Sequence, residues 1–214
     1  MRAPAAAWLC SVLVAGLALS GCGAGVETAA LPTVKPSEPS PVVETVAAEL
    51  TLTSTAFAPG DDIPEQYTCF GDNLSPELAW SGVPSGAQSL ALIVLDPDSR
   101  PPGFVHWVIY SISPAATGLT EGVLPQATLA DGARQGRTDF AQFGAGTFPG
   151  GRPINQVGYD GPCPPDRHRY VFTLYALDSA LAPEPEATAT ELVSAMQGHI
   201  LAQVELVGLY SPPE

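Results

Sequence analysis

The segment from Ser89 to Leu95 (Ser-Leu-Ala-Leu-Ile-Val-Leu) is a run of strand length without polar alternation, and Asp96-Pro97-Asp98 follows it directly. A short unbroken apolar run is typical of a strand that is buried on both faces of a sheet. Aspartate and proline are common turn formers, so an ordinary turn accounts for the end of this run. A carboxylate that leaves a core strand beside a proline is also held in place, which makes Asp96 and Asp98 candidates for a binding site.

Three further segments have the character of strands. The stretch from Val105 to Ile112 alternates, which predicts one face carrying His106, Val108, Tyr110 and Ile112 and another carrying Val105, Trp107, Ile109 and Ser111. Aromatic and β-branched residues dominate Tyr170 to Leu177, and Leu201 to Leu209 is a fourth predicted strand. One helix is predicted after Thr188 and Glu191, which have capping-box spacing, with an apolar face formed by Leu192, Ala195, Met196 and His199.

The composition also favours a β-rich chain. The 214 residues include 23 prolines and 21 glycines, which suit strands and long turns better than a helix bundle. We therefore predict a mainly β domain of the α+β type, with two packed sheets or a mixed sheet and one or two peripheral helices. The formal net charge is −14, with only 8 lysines and arginines, so no basic patch for nucleic acid or anionic lipid can be assembled.

The N-terminus has the pattern of an export signal. Arg2 precedes a long apolar run that ends in Leu19-Ser20-Gly21-Cys22, which resembles a bacterial lipobox. This pattern predicts a lipoprotein signal peptide over residues 1–21 and lipidation of Cys22, which would place the protein on the outer face of a bacterial membrane in the cell envelope. An uncleaved transmembrane anchor is the alternative, because the run is about long enough to span a bilayer.

The chain then changes character twice. Residues 22–48 are rich in proline, alanine and glutamate and lack aromatic residues, so we expect a disordered linker followed by one folded domain over residues 49–214. That domain keeps two cysteines, Cys69 and Cys163. Cysteines in an exported domain usually pair, which predicts a disulfide, with two separate buried thiols as the alternative.

Five motifs in a fixed order carry a resemblance to a known family. They are Thr68-Cys69-Phe70-Gly71-Asp72-Asn73-Leu74-Ser75-Pro76-Glu77-Leu78-Ala79-Trp80, then Asp96-Pro97-Asp98, His106-Trp107, Gly161-Pro162-Cys163-Pro164-Pro165 and His168-Arg169-Tyr170. From about Leu50 to Tyr210 the chain resembles the bacterial branch of the phosphatidylethanolamine-binding proteins, also called Raf kinase inhibitor-like proteins. The resemblance implies a large central β-sheet, a smaller second sheet, peripheral helices and a small anion-binding pocket at the rim.

Carried over by motif, the resemblance implies a ligand-binding set of Asp96, Asp98, Phe104, His106, Gly161, Pro162, His168 and Tyr170. The chain departs from the family where Phe104 replaces the usual tryptophan and where Arg100 follows Ser99 in place of the common Ala-Pro continuation. Protonated histidines would offset the carboxylates, with Asp96 orienting one imidazole, so anion affinity should rise as the pH falls.

These observations favour a binding protein that is not an enzyme and needs no cofactor or metal. Its expected partner is a small phosphorylated or otherwise anionic ligand, such as a phospholipid headgroup, with membrane contact only through the N-terminal lipid. Hydrolysis is less favoured, because no Gly-X-Ser-X-Gly elbow is present and neither domain cysteine has the setting of an activated nucleophile. A metal site built from the same Asp and His residues is a further rival. The last is a protein-interaction module that inhibits a protease or kinase through the long stretch from Ala141 to Asp166.

Overall fold

A five-stranded antiparallel sheet forms the centre of the computed structural model, which describes residues 49–148, 151–181 and 183–213. The predicted signal peptide, Cys22 and the linker lie outside these residues. In chain order the strands are β1 (Thr51–Thr53), β2 (Leu78–Ser81), β3 (Ser89–Asp96), β4 (Phe104–Ile112), β5 (Gly118–Leu119), β6 (Arg134–Gln135), β7 (His168–Leu177) and β8 (Ile200–Tyr210). The large sheet has the order β6-β4-β3-β7-β8, and β1-β2-β5 form a second, smaller sheet.

The strand β3 lies between β4 and β7 and is buried on both faces, as its apolar run predicts. Leu90, Leu92 and Val94 point into a first core, which also contains Leu52 and Trp80 of the small sheet. Ala91 and Ile93 point into a second core on the opposite face. Because both faces are covered, neither needs the polar residues of a half-exposed strand.

The second core is closed by one helix, α1 (Ala189–Met196), whose Leu192 and Met196 are buried against the large sheet. Its capping box is formed as predicted: the Glu191 amide donates to the Thr188 hydroxyl at 3.3 Å, and the Thr188 amide donates to the Glu191 carboxylate at 2.8 Å. The prediction that His199 belongs to the apolar face is wrong, because the helix ends at Met196 and His199 is exposed.

The strand β4 does not alternate as predicted, because it carries two bulges opposite β3. Val94 pairs with Trp107 while Leu95 pairs with Val105, so His106 is an extra residue in β4. Ring contacts place His106 beside Tyr170, on the same face as Trp107, whereas Val105 packs with Val108. A second bulge near Ser111 (φ 55°) turns Ile112 to the first core. A bulge puts two consecutive side chains on one face, which a strict two-residue period does not anticipate.

Two 3-10 helices complete the described elements, Glu65–Tyr67 and Asp139–Phe143. The second overlaps the start of the long stretch from Ala141 to Asp166, which is folded against the domain: Phe148 is buried, and Thr147 forms an isolated β-bridge with Pro153. No helix among the described residues is long and apolar enough to cross a membrane.

Candidate ligand-binding cavity

A cavity of about 930 Å³ opens at one edge of the large sheet, where β3 ends and β4 and β7 begin. Six of the eight predicted site residues line it: Asp96, Asp98, Phe104, His106, His168 and Tyr170. The other two, Gly161 and Pro162, are buried and do not line the cavity, and the lining continues instead through Cys163, Pro164, Pro165 and Asp166. The strand pairing therefore brings residues from three distant motifs into one site.

The turn from β3 to β4 is closed by its own polar side chains. The Asp96 carboxylate accepts a hydrogen bond from the Asp98 amide at 2.9 Å, which is the Asx turn that a short aspartate favours. The Ser99 hydroxyl donates to the Asp96 carbonyl at 2.8 Å and accepts from the Phe104 amide at 3.0 Å. These bonds keep the two carboxylates at fixed positions on the cavity wall.

His168 is held between two carboxylates. Its Nδ1 lies 2.7 Å from Asp96 Oδ2, and its Nε2 lies 2.7 Å from Asp166 Oδ1. Asp96 is buried, whereas the Asp166 side chain is 77% exposed. Burial alone would lower the pKa of His168, but the hydrogen bonds and charges of Asp96 and Asp166 outweigh it and raise the pKa above its ordinary value. His168 is therefore an imidazolium at mildly acidic pH.

His106 is in a different environment. Its Nδ1 lies 2.7 Å from the Asp160 carbonyl, and the ring packs edge-to-face on Phe140 and Tyr170. Complete burial lowers the pKa of His106 to about 4, although the Asp160 carbonyl and the Asp96 charge act in the opposite direction. A neutral His106 donates from Nδ1 to the carbonyl, so its Nε2 is an acceptor. The expectation that both histidines are charged therefore fails for His106.

The Asp98 carboxylate forms an ion pair with Arg169. Its carboxylate accepts from the Arg169 amide and Nε, both at 2.9 Å, and from Nη2 at 2.7 Å. These hydrogen bonds lower the pKa of Asp98 to about 2. With both oxygens engaged by a guanidinium, Asp98 repels an incoming anion much less than a free carboxylate would.

Two polar groups of the cavity lack such partners. The Tyr170 hydroxyl is buried and makes no hydrogen bond with the described residues, which is uncommon for a buried polar atom. Arg100 is exposed on the lining, and no ion pair within the described part of the chain involves it. By contrast, Arg167 pairs with Asp62 at 2.6 Å.

Cys69 and Cys163 form the predicted disulfide behind the cavity, with a Cα–Cα distance of 5.4 Å. The same wall depends on two residues that were not predicted, Asn73 and Asp160. Asn73, at φ 56°, donates to buried Asp160 at 2.8 Å and accepts from the Gly161 amide at 2.7 Å. Burial raises the pKa of Asp160 to about 7 despite the hydrogen bonds that it accepts from Asn73 and Asn155. Asn73 lies within a recognised motif and Asp160 directly precedes one, and these positions are the sequence signal by which both could have been predicted as part of the site.

Phe140, Phe143, Arg100 and Asp166 were also missed as lining residues. Asp166 directly follows a motif and Arg100 lies two residues after one, whereas Phe143 belongs to the long stretch from Ala141 to Asp166. That stretch contributes to the cavity, because Phe143 and Cys163–Asp166 line it. Among the described residues, no group of three or more His, Cys, Asp or Glu is arranged to hold a metal ion.

Comparison with known proteins identifies the family. Residues 53–211 match the family model described as phosphatidylethanolamine-binding protein. A UPF0098 protein of Methanothermobacter thermautotrophicus is 46% identical over 162 residues, which are 75% of this chain and 98% of that protein. Another, from Chlamydia muridarum, is 43% identical over 165 residues, which are 74% and 97% of the two chains.

Two crystal structures share the fold. One is a putative phosphatidylethanolamine-binding protein homolog from Chlamydia trachomatis, with 38% identity, a TM-score of 0.65 and coverage of 77% of this chain and 99% of that one. The other is YbcL of E. coli, described as a new member of the mammalian family, with 28% identity, a TM-score of 0.65 and coverage of 78% and 100%. The order of motifs, the two-sheet architecture and these matches agree, and the chain belongs to the phosphatidylethanolamine-binding protein family.

Proposed function

We propose that the cavity binds a small phosphorylated or otherwise anionic ligand and that the protein acts by binding, without catalysis. The observation that carries this proposal is the position of His168. Its charged ring is fixed by buried Asp96, and its Nε2 edge donates to a carboxylate, Asp166, that belongs to the cavity lining. An imidazolium that already holds one oxyanion of the chain is equally suited to an oxyanion of a ligand.

Two further groups support the same ligand chemistry. The guanidinium of Arg100 is a planar donor that suits phosphate or carboxylate, and it has no competing ion pair within the described chain. Neutral His106 adds an acceptor, which suits a protonated phosphate oxygen or a hydroxyl of the ligand.

The pH dependence has two sources. Because the pKa of His168 is raised, its charged form is present at low pH and is lost as the pH rises through the folded-state value. Asp160, whose pKa is about 7, gains a negative charge in the wall behind the cavity over the same range. Anion affinity should therefore fall between pH 5.5 and 8. His106 contributes no change over this range, because its pKa lies near 4.

The test is calorimetric titration of the full chain with inorganic phosphate, phosphoethanolamine and sulfate at pH 5.5 and 7.5. Sulfate keeps its charge over this range, so its affinity reports the protonation of the protein alone. We expect saturable binding of all three, with sulfate weaker at pH 7.5. The His168→Gln variant should lose binding, whereas His199→Gln should not, although His199 also pairs with an aspartate, Asp178, at 2.8 Å. Sulfate affinity that is flat with pH and unchanged in His168→Gln would refute the proposal.

A further inference from the structure

One side of the cavity is aromatic. Phe104 and Phe140 pack edge-to-face with ring centroids 4.7 Å apart, and Phe143 is nearly parallel to Phe104 at 6.4 Å and 20°. All three rings line the cavity, and the other lining residues are charged side chains, the two histidines, Ser99, Tyr170, Cys163 and two prolines. The cavity therefore has one apolar wall beside a charged one.

Phe143 differs from its neighbours in exposure. Phe140 is 7% exposed and belongs to a small apolar cluster with Cys69 and Phe148, whereas Phe143 is 65% exposed. The short 3-10 helix Asp139–Phe143 is fixed at its start, where Asp139 accepts from the Val105 amide at 2.9 Å. Phe143 is thus held at the cavity edge with most of its ring uncovered, although a ring of this size gains free energy when it is buried.

The size of the cavity indicates a ligand larger than phosphate. Sites that enclose most of a drug-sized molecule have volumes of about 300–1,000 Å³, and this cavity is about 930 Å³. An anion held by His168 and Arg100 would leave the phenylalanine side empty. The unfilled part is the part with apolar walls.

We infer that the ligand is an anion joined to an aromatic ring, with the anion at His168 and Arg100 and the ring against Phe104 and Phe143. This inference rests on the proposed anion binding and adds the chemical class of the ligand. A flat ring fits the site better than an acyl chain, because its face and edges complement phenylalanine rings, which prefer offset-stacked and edge-to-face contacts.

The experiment compares phenyl phosphate with methyl phosphate, which have the same anionic group, by calorimetric titration of the full chain at pH 5.5. We expect phenyl phosphate to bind about tenfold more tightly, because a well-placed aromatic pair contributes about 0.5–1.5 kcal/mol beyond burial of its area. The Phe143→Ser variant should lose most of this preference and keep its affinity for methyl phosphate. The control is Leu124→Ser, since Leu124 is also 65% exposed but lies outside this cavity, and it should change neither affinity.

The outcomes separate the two proposals. Equal affinities for the two phosphates, or a preference that survives in Phe143→Ser, overturn the aromatic subsite and leave anion binding intact. Failure of both phosphates to bind overturns anion binding and the subsite with it. A preference lost equally in Leu124→Ser means that it comes from general surface hydrophobicity, which also overturns the subsite.

Discussion

The replacement Asp166→Asn should strengthen anion binding, although it removes a hydrogen-bonded carboxylate from the site. Asp166 Oδ1 lies 2.7 Å from His168 Nε2 and occupies the position that a ligand oxygen would take. The side chain is 77% exposed, so the pair is well solvated and its loss costs little. An anion therefore competes with Asp166 for the same N–H group.

The magnitude follows from two contributions. An exposed ion pair that must be broken costs about 0.2–1 kcal/mol. Repulsion between a carboxylate and an anion about 4 Å away costs about 1 kcal/mol in water. Removing both should improve phosphate affinity at pH 5.5 by about 1–2 kcal/mol, which is about 5- to 30-fold.

The same replacement should change the pH dependence in the opposite direction. Asp166 helps to raise the pKa of His168, so the variant has a lower pKa that is still supported by Asp96. Anion binding is lost as the pH rises through this value, hence the variant should bind more tightly at pH 5.5 but lose affinity at a lower pH than the parent chain.

Calorimetric titration with sulfate from pH 5 to 8, together with an NMR titration of the His168 ring, measures both effects. The matched control is Asp178→Asn. Asp178 Oδ1 lies 2.8 Å from His199 Nδ1, and neither residue lines the cavity. The reasoning fails if Asp166→Asn binds sulfate no more tightly at pH 5.5, or if the control gains as much.

Three further predictions concern other parts of the chain. An NMR titration should give the Asp160 carboxyl a midpoint near pH 7, because burial raises its pKa. Between about pH 4 and 7 only the folded state keeps this proton, so the contribution of Asp160 to the free energy of unfolding should fall as the pH rises through that range. A midpoint below 5 would contradict this. Reduction of the disulfide between Cys69 and Cys163, which closes a loop with a sequence separation of 94, should cost about 4 kcal/mol and lower the Tm by about 10 °C; an unchanged Tm with both thiols free would count against it. The Cys22→Ser variant, which changes a residue outside the described part of the chain, should lose labelling by fatty acid and leave the membrane fraction, and retained labelling would exclude the predicted lipobox.

The long strands were predictable because their signals are local. The apolar run of β3, the aromatic and β-branched residues of β7 and the capping box at Thr188 each lie within one element. The two-residue strands β5 and β6 carry no such signal, since they exist only through pairing with β2 and β4. The bulge at His106 likewise depends on the register with β3, which a single segment does not contain.

The candidate site was predictable in its motifs but not in its electrostatics. The resemblance named residues that the structure brings together from positions as distant as Asp96 and Tyr170. It did not distinguish His106 from His168. Burial lowers the pKa of His106, whereas contacts with carboxylates raise the pKa of His168. Those contacts depend on residues such as Asp160 and Asp166, whose positions are set by the folded loops.

The net charge of −14 does not argue against the proposed anion site, because charge acts locally. Exposed charges are screened over about 8 Å at physiological ionic strength, so distant carboxylates contribute little. Within the cavity, Asp98 is neutralised by Arg169 and Asp96 by His168, while Asp166 can leave because it is exposed. In the proposed binding mode, an anion would meet the His168 Nε2–H and the Arg100 guanidinium. The carboxylates that first argue against anion binding thus position the groups that would perform it.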